Sequence, residues 1–184
     1  QEEETIQEKS VKNLQEKKLI AQKAASLIKE KDVIFVDAGS TTAFLIKELE
    51  RKDITVVTNS IHHAVQLVDK QIPTVIIGGG VKMTTDASIG GVALNQINQL
   101  HFDRAFIGMN GVDEGYFTTP DMEEGAVKRA ILENAKQTYV LADSSKLGQS
   151  CFAKVAPIKR AIVITSKGHE LLLAIKEKTE VIEV

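Results

Sequence analysis

Short apolar runs rich in β-branched residues recur along the chain, with helical patterns between them. The runs span residues 33–36, 54–57, 75–77, 105–107, 139–142, 161–164 and 181–184. Polar residues do not alternate within them, as is expected of strands that are covered on both faces of a sheet. Helical patterns span residues 42–50, 61–69 and 122–136. Strands that alternate with helices predict an α/β fold with a mostly parallel sheet, helices on both faces and right-handed crossovers.

Two segments need separate interpretation. Residues 1–16 are dominated by Glu, Gln and Lys, and this composition predicts an arm or linker that buries little. From Lys17 onward an amphipathic helix is predicted to pack on the sheet, so residues 17–184 form the domain. In the segment 81–100 we expect a short extended piece near residues 84–89 and a helix over residues 91–98.

Polar or glycine-rich clusters follow five of the predicted strands. They are Asp37, Thr58-Asn59-Ser60, Gly78-Gly79-Gly80, Gly108-Met109-Asn110-Gly111 and Asp143-Ser144-Ser145-Lys146. Open α/β sheets bind ligands beyond the carboxyl ends of their strands, so the five clusters are predicted to converge on one site. Any single cluster is equally typical of ordinary turn chemistry.

The cluster after the first strand carries the strongest chemical signal. Asp37 ends an apolar run, Gly39 permits a turn, and the hydroxyl residues Ser40, Thr41 and Thr42 open a helix. The free N–H groups of a helix N-terminus attract phosphate. The alternative is that Ser40 or Thr41 only caps the helix. Neither a nucleotide P-loop nor a dinucleotide motif is present, so we expect a small phosphate ester.

Composition excludes several classes of function. The 184 residues suit one domain, and 23 basic against 25 acidic side chains give a net charge of −2, without the basic surface of a nucleic-acid binder. A single cysteine, Cys151, excludes an internal disulfide and favours the cytoplasm. The four histidines lack metal-ligand spacing, so neither a metal nor a cofactor is expected. The apolar stretches are too short to span a bilayer.

Several motifs occur together in one order. They are Lys17 with Ile20-Ala21, Asp37 to Thr42, Thr58-Asn59-Ser60, Gly78-Gly79, Gly115-Tyr116-Phe117-Thr118-Thr119 and Asp143-Ser144-Ser145-Lys146. This set resembles the effector-binding domain of the DeoR-type sugar-operon repressors. The resemblance implies a Rossmann-like fold similar to ribose-5-phosphate isomerase and a phosphorylated sugar as effector. It also implies a winged helix-turn-helix ahead of Gln1, through which DNA is bound, a linker over residues 1–16, and a homodimer or homotetramer.

The resemblance and the residue types together give a set of candidate site residues. For the phosphate these are Asp37, Gly39, Ser40, Thr41, Thr42, Lys17 and Lys146. For the sugar they are Thr58, Asn59, Gly78, Gly79, Asn110, Asp113, Glu124, Lys128 and Asp143. The alternatives are solvated surface lysines at Lys17 and Lys146, turn stabilisation by the Asn and Asp side chains, and an exposed i,i+4 ion pair between Glu124 and Lys128.

Catalysis is not expected from this site. The similar isomerases carry a D-G-A-D-E motif, then K-G-G-G, then R-E-K. Here residues 110–114 read N-G-V-D-E, no lysine lies between Glu114 and Lys128, and residues 123–125 read E-E-G. Sugar isomerisation needs a positioned base and groups that stabilise an enediolate, so the losses predict a pocket that binds without converting. Alternatives are an active sugar-phosphate isomerase and a dimerisation module with a vestigial pocket.

Overall fold

The computed structural model describes residues 6–184, an α/β domain with one large sheet and two small ones. Its helices are α1 Ile6–Ser26, α2 Ser40–Glu48, α3 Ile61–Asp69, α4 Gly91–Ile97, α5 Met122–Glu133 and α6 Leu172–Lys176. Its strands are β1 Val33–Val36, β2 Thr55–Thr58, β3 Thr74–Ile76, β4 Gly80–Lys82, β5 Ala87–Ile89, β6 Phe102–Gly108, β7 Gly111–Val112, β8 Tyr116–Thr119, β9 Ala135–Leu141, β10 Ala153–Pro157, β11 Ile162–Thr165 and β12 Val181–Glu183.

The large sheet has seven parallel strands in the order β12-β11-β9-β6-β1-β2-β3. One core lies between this sheet and α1, α2 and α3, and a second lies between the sheet and α4, α5 and α6. The central strands are apolar throughout because both of their faces are buried. Phe106 stacks on Tyr139 in the first core, and Phe35 packs edge-on against Phe102 in the second. The predicted doubly covered parallel sheet is confirmed.

Most of the predicted elements are present within one to three residues of their expected bounds. The helix predicted over residues 122–136 is shorter, because Asn134 ends α5 and Ala135 already pairs with Phe102 in β9. The antiparallel sheet β10-β8-β7 and strand β4 were not predicted, whereas β5 lies within the extended piece expected near residues 84–89 and α4 matches the helix expected over residues 91–98. The unpredicted strands have two to five residues each, too few for a clear alternation of polar and apolar positions.

Helix α1 runs without a break across the predicted linker boundary. It extends from Ile6 to Ser26, so no helix end marks the division between residues 16 and 17. Ile20, Ala21 and Ala24 are fully buried against the sheet, as the amphipathic pattern predicts. The assignment of residues 1–16 as a linker stays a prediction, and residues 1–5 lie outside the described part of the chain.

The β4-β5 hairpin stands against the start of α5 and is held there by polar contacts. Lys82 Nζ lies 2.7 Å from Asp121 Oδ2 and 3.6 Å from Glu124 Oε2. Thr85 donates a 2.6 Å hydrogen bond to Glu124 Oε1. At the turn between β4 and β5 Ser60 donates to Asp86 Oδ2 at 2.6 Å. These contacts place the hairpin beside the carboxyl ends of β1 and β2.

Candidate ligand site

The chain reverses direction across the large sheet between β1 and β6. From β1 it moves outward to β2 and β3, and it then returns to form β6 on the other side of β1. Neighbouring strands whose connections leave in opposite directions open a crevice at their carboxyl ends. A cavity of about 570 Å³ occupies this position. It is lined by residues that follow β1, β2, β6 and β9, by α2, α3 and α5, and by the β4-β5 hairpin.

The N-terminus of α2 forms one wall of this cavity. Gly39 precedes the helix with φ of 147°, a conformation that residues with a side chain rarely adopt. No side chain caps the helix, so the capping alternative for Ser40 or Thr41 is wrong. Gly39, Ser40, Thr41 and Thr42 all line the cavity. The unpaired N–H groups of the first turn and the hydroxyls therefore give this wall the kind of donors with which helix N-termini bind anions.

Two lysines supply positive charge beside this wall. Lys17 of α1 donates a 3.0 Å hydrogen bond from Nζ to Ser40 Oγ. Lys146 lines the cavity, and both side chains are half-buried rather than fully solvated. Lys146 belongs to a short 3-10 turn, Ser144–Lys146, which Asp143 caps by accepting a 2.9 Å bond from Ser145 N–H. Lys17 is thus bonded to the start of α2, whereas the roles of both lysines toward a phosphate stay predictions.

A buried histidine fixes the geometry of the wall. His63 Nε2 lies 3.0 Å from Thr42 Oγ1 and 3.1 Å from the Asp37 carbonyl oxygen, and Thr42 donates to the Gly39 carbonyl at 3.1 Å. Since a carbonyl only accepts, His63 donates from Nε2. Burial lowers the pKa of His63, which keeps the ring neutral at pH 7. His63 was not among the predicted site residues, because no local pattern separates it from the neighbouring exposed His62.

An ion pair forms the floor of the cavity. Lys128 of α5 places Nζ 2.5 Å from Asp37 Oδ2 and donates a 2.9 Å bond to the Gly108 carbonyl. Both side chains are buried. The exposed i,i+4 pair considered for Glu124 and Lys128 does not form, because Lys128 turns inward to the sheet. Glu124 instead binds the β4-β5 hairpin through Thr85 and Lys82, and it also lines the cavity.

Three further predicted residues line the cavity, and each of them already forms hydrogen bonds within the protein. Asn59 accepts from the Ala38 N–H at 3.2 Å and donates to the Ser88 carbonyl at 3.4 Å. Asn110 accepts a 2.9 Å bond from Thr119 Oγ1. Asp143 also accepts a hydrogen bond from the Ser145 hydroxyl. All three border the cavity, but Asn59 and Asp143 are only 2% and 1% exposed, whereas Asn110 is exposed.

Four predicted sugar-binding residues do not line the cavity. Thr58 is buried and donates to the Val36 carbonyl at 2.7 Å, which positions the turn into α3. Asp113 accepts from the N–H groups of Gly115 and Tyr116 at 2.8 Å. Burial acts to raise the pKa of Asp113, but hydrogen bonds, including one from Ser150, outweigh it and lower the pKa. Its role is to stabilise a turn, the alternative that the sequence left open.

The Gly78-Gly79 cluster also serves packing. Gly78 donates its N–H to Gln96 Oε1 at 2.9 Å. At Gly79, with φ of 127°, an added Cβ would lie 3.0 Å from the Ile89 carbonyl oxygen and 3.2 Å from the Ala93 nitrogen. The pair therefore lets β3 pass closely under α4. Four of the five strand-end clusters reach the cavity, and this one does not.

Two other kinds of feature, a metal site and a membrane span, are absent from residues 6–184. Within these residues no three His, Cys, Asp or Glu side chains are grouped as metal ligands would be. None of the helices over the same range has both the length and the apolar character needed to cross a bilayer.

Comparison with known proteins assigns the family. The family model described as the DeoR C terminal sensor domain matches residues 12–167. The chain belongs to the DeoR sensor-domain family. The HTH-type transcriptional regulator FruR of Bacillus subtilis (strain 168) is 45% identical to this sensor domain over 179 residues, covering 96% of the domain chain and 71% of that protein. The lactose phosphotransferase system repressor of Staphylococcus aureus (strain NCTC 8325 / PS 47) is 30% identical over 181 residues. The match covers 96% of this chain and 72% of that protein.

Solved structures share the fold of the sensor domain. Ribose 5-phosphate isomerase A of Methanocaldococcus jannaschii superposes with a TM-score of 0.54 at 24% identity, over 73% of the sensor domain and 55% of that chain. The β subunit of eIF2B from Chaetomium thermophilum gives a TM-score of 0.59 at 15% identity. The superposition covers 91% of the sensor domain and 54% of that chain. The sensor domain thus spans about half the length of these structures, and the expected isomerase-like fold is confirmed.

The buried ion pair predicts a large loss of stability when one partner is removed. Lys128→Met leaves the Asp37 carboxylate buried without its counter-charge, and we expect the free energy of unfolding to fall by about 3–5 kcal/mol. Urea denaturation measures this difference. The matched control is Lys136→Met, since Lys136 is 80% exposed and pairs with Asp103 at 3.6 Å; it should cost at most about 1 kcal/mol. Equal losses in the two variants would contradict a structural role for the pair.

The neutral His63 predicts that stability falls between pH 7.5 and pH 5.5. The unfolded chain takes up a proton at this histidine near its ordinary pKa of about 6.5, whereas the folded state resists protonation because burial lowers the pKa. The free energy of unfolding should therefore fall as the pH drops below about 6.5. In urea denaturation across this range, His63→Gln should flatten the dependence and the exposed control His101→Gln should not. An unchanged slope in His63→Gln would show that another group titrates.

Proposed function

We propose that this domain is the sugar-phosphate sensor of a transcriptional regulator and binds its effector without converting it. One observation carries the proposal: the uncapped N-terminus of α2 faces the cavity with Lys17 and Lys146 beside it. Backbone N–H groups, hydroxyls and ammonium groups are the donors that a phosphate dianion requires. In this proposal the phosphate contacts Ser40, Thr41 and Thr42.

Polar groups across the cavity suit the hydroxyls of a sugar. Asn59, Asn110, Asp143 and Glu124 provide amide and carboxylate groups at distributed positions along the wall and floor. Relatives support this ligand class by their names, which include regulators of a lactose phosphotransferase system. A ribose-5-phosphate isomerase structure in complex with phospho-erythronic acid, at 25% identity and a TM-score of 0.52, has a phosphorylated sugar acid bound on the same fold.

The state of the cavity carboxylates supports sensing over catalysis. Asp37 is bound by Lys128, and Glu124 accepts from Thr85 and lies near Lys82, so neither is a free base. The position of the leading carboxylate in the isomerase motif is held by the amide Asn110, which already accepts a bond from Thr119. The relatives named above are transcriptional regulators, which agrees with a binding role.

Helix α1 offers a route from the effector to DNA. Lys17 touches the phosphate wall, and the same helix continues toward residue 6, the side on which a helix-turn-helix domain would precede it. An effector that binds one arrangement of this helix more tightly shifts the equilibrium between arrangements. Coupling of about 1–3 kcal/mol, a 5-fold to 150-fold change in DNA affinity, is typical. We place the working regulator in the bacterial cytoplasm as a homo-oligomer.

A ligand screen tests the proposal. Phosphorylated hexoses, ketoses and pentoses are added to the domain in a thermal-shift assay, with the unphosphorylated sugars as controls. A ligand at 100 times its Kd adds about 2.7 kcal/mol of stability, which raises the melting temperature measurably. We expect a shift with at least one phosphate ester and none with its parent sugar. A coupled isomerase assay on the same compounds should show no turnover. Turnover would contradict the proposal and would show that the site is catalytic.

Charge reversal at Lys146 should weaken the ligand that the screen identifies. Lys146→Glu removes a charge-assisted bond of about 1.5–3 kcal/mol and adds repulsion, so calorimetry should show at least a 10-fold rise in Kd. Thr41→Ala should weaken binding in the same direction. The control Lys159→Glu changes an exposed lysine in another part of the surface and should leave Kd unchanged. An unchanged Kd in Lys146→Glu would place the phosphate elsewhere.

A further inference from the structure

His62 borders the cavity with an exposed side chain whose ring is nevertheless anchored. The side chain is 81% exposed, and its Nδ1 lies 2.9 Å from Asp86 Oδ2. The backbone N–H of His62 donates to both oxygens of the same carboxylate, at 3.1 and 3.3 Å. Ring and backbone are therefore tied to one acceptor. The other ring nitrogen, Nε2, has no hydrogen-bond partner within residues 6–184.

Asp86 is an ionised acceptor for this ring. Burial acts to raise the pKa of Asp86, but hydrogen bonds from Ser60 and His62 outweigh it and lower the pKa. A carboxylate only accepts, so His62 donates from Nδ1. In a neutral ring Nε2 is then an acceptor, and in a protonated ring it becomes a second donor. The direction of any hydrogen bond at Nε2 therefore depends on whether the ring has taken up a proton.

The start of α3 lies beside the first turn of α2. The residue after His62, His63, contacts Thr42 Oγ1 at 3.0 Å and the Asp37 carbonyl oxygen at 3.1 Å. His62 and Gln66 are four positions apart on α3, and both line the cavity, so one side of this helix faces it. The ring of His62 therefore borders the same space as the uncapped N-terminus of α2.

The charges around the cavity leave a phosphate dianion short of positive partners. The titratable side chains that line it are Asp37, His62, His63, Asp86, Glu124, Lys128, Asp143 and Lys146, with Lys17 and Lys82 adjoining. Lys128 is already paired with Asp37, and His63 is neutral because burial lowers its pKa. Lys146 is thus left as the one unpaired cation of the described lining, against three further carboxylates. A protonated His62 would supply a second positive charge.

We infer that His62 takes up a proton when a phosphate ester binds and donates a hydrogen bond from Nε2 to a phosphate oxygen. This inference rests on the proposed function, because it places the phosphate at the N-terminus of α2. Imidazole suits the role, since its charge ordinarily changes between pH 5 and 8. The proton comes from solvent and no bond of the ester breaks. The Asp86 carboxylate holds the ring and balances the charge that the ring gains.

Nitrogen-15 NMR of the histidine rings follows this proton directly. The probe is inorganic phosphate, and potassium chloride at equal ionic strength is the reference. With phosphate, the pH at which the His62 ring is half-protonated should rise by about one unit, because a charge-assisted bond favours the protonated ring roughly tenfold. The exposed His101, which does not line the cavity, should not respond. In the same titration the backbone amides of residues 40–42 should shift.

The two sets of signals separate this inference from the proposed function. Amides of residues 40–42 that shift while His62 stays unchanged would overturn the inference and leave the phosphate site at α2 in place. If neither set responds, phosphate does not bind at the N-terminus of α2, and both the inference and the proposed site are wrong. An equal response at His62 and His101 would show a general effect of the anion and would also overturn the inference.

Calorimetry tests the same proton with the phosphate ester that the thermal-shift screen identifies. In buffers with different heats of ionisation at pH 7, the wild-type chain should take up protons on binding. The second ionisation of the ester itself releases protons, so it cannot imitate this uptake. His62→Gln keeps a polar side chain that takes up no proton; it should abolish the uptake and raise Kd about 10-fold at pH 6 and less at pH 8. His101→Gln should behave as the wild type. Uptake that persists in His62→Gln, or a Kd that this substitution leaves unchanged at pH 6, would overturn the inference.

Discussion

The ion pair between Lys128 and Asp37 holds together the parts of the fold that make the site. Asp37 follows β1, Lys128 comes from a helix on one face of the sheet, and Gly108 is the last residue of the neighbouring central strand β6. Two buried charges are tolerable only as a well-bonded pair. The crevice between β1 and β6 is thereby kept at a fixed width. The phosphate wall, which begins two residues after Asp37, is positioned by the same contact.

The main features of the site follow from local sequence and from topology. An apolar strand, an aspartate and a glycine before three hydroxyl residues determine an uncapped helix start at Ser40, because no larger residue accepts the conformation of Gly39. Parallel strands then carry Asn59, Asn110 and Asp143 to the same edge of the sheet. The sequence was therefore sufficient to predict one wall of the cavity and most of its rim.

The remaining features depend on contacts between distant segments. Lys128 and Asp37 are 91 positions apart, and in sequence Lys128 looks like an ordinary polar residue of an amphipathic helix. His63 carries no local signal that separates a buried histidine from an exposed one such as His62. Gly78 and Gly79 resemble a ligand loop, yet the close passage of α4 explains them. In each case the role of the residue depends on a partner that is distant in sequence and close in the folded structure.

Helix α1 gives the site a mechanical property. Ile6 lies eleven positions before Lys17, and at about 1.5 Å of rise per residue the helix extends roughly 16 Å beyond the lysine. The buried residues Ile20, Ala21 and Ala24 form the fixed end of this rod. A tilt of about 10° around that fixed end would move the far tip by about 4 Å. A small displacement of Ser40, passed to α1 through the hydrogen bond to Lys17, would therefore become a larger displacement at the N-terminal end of the helix.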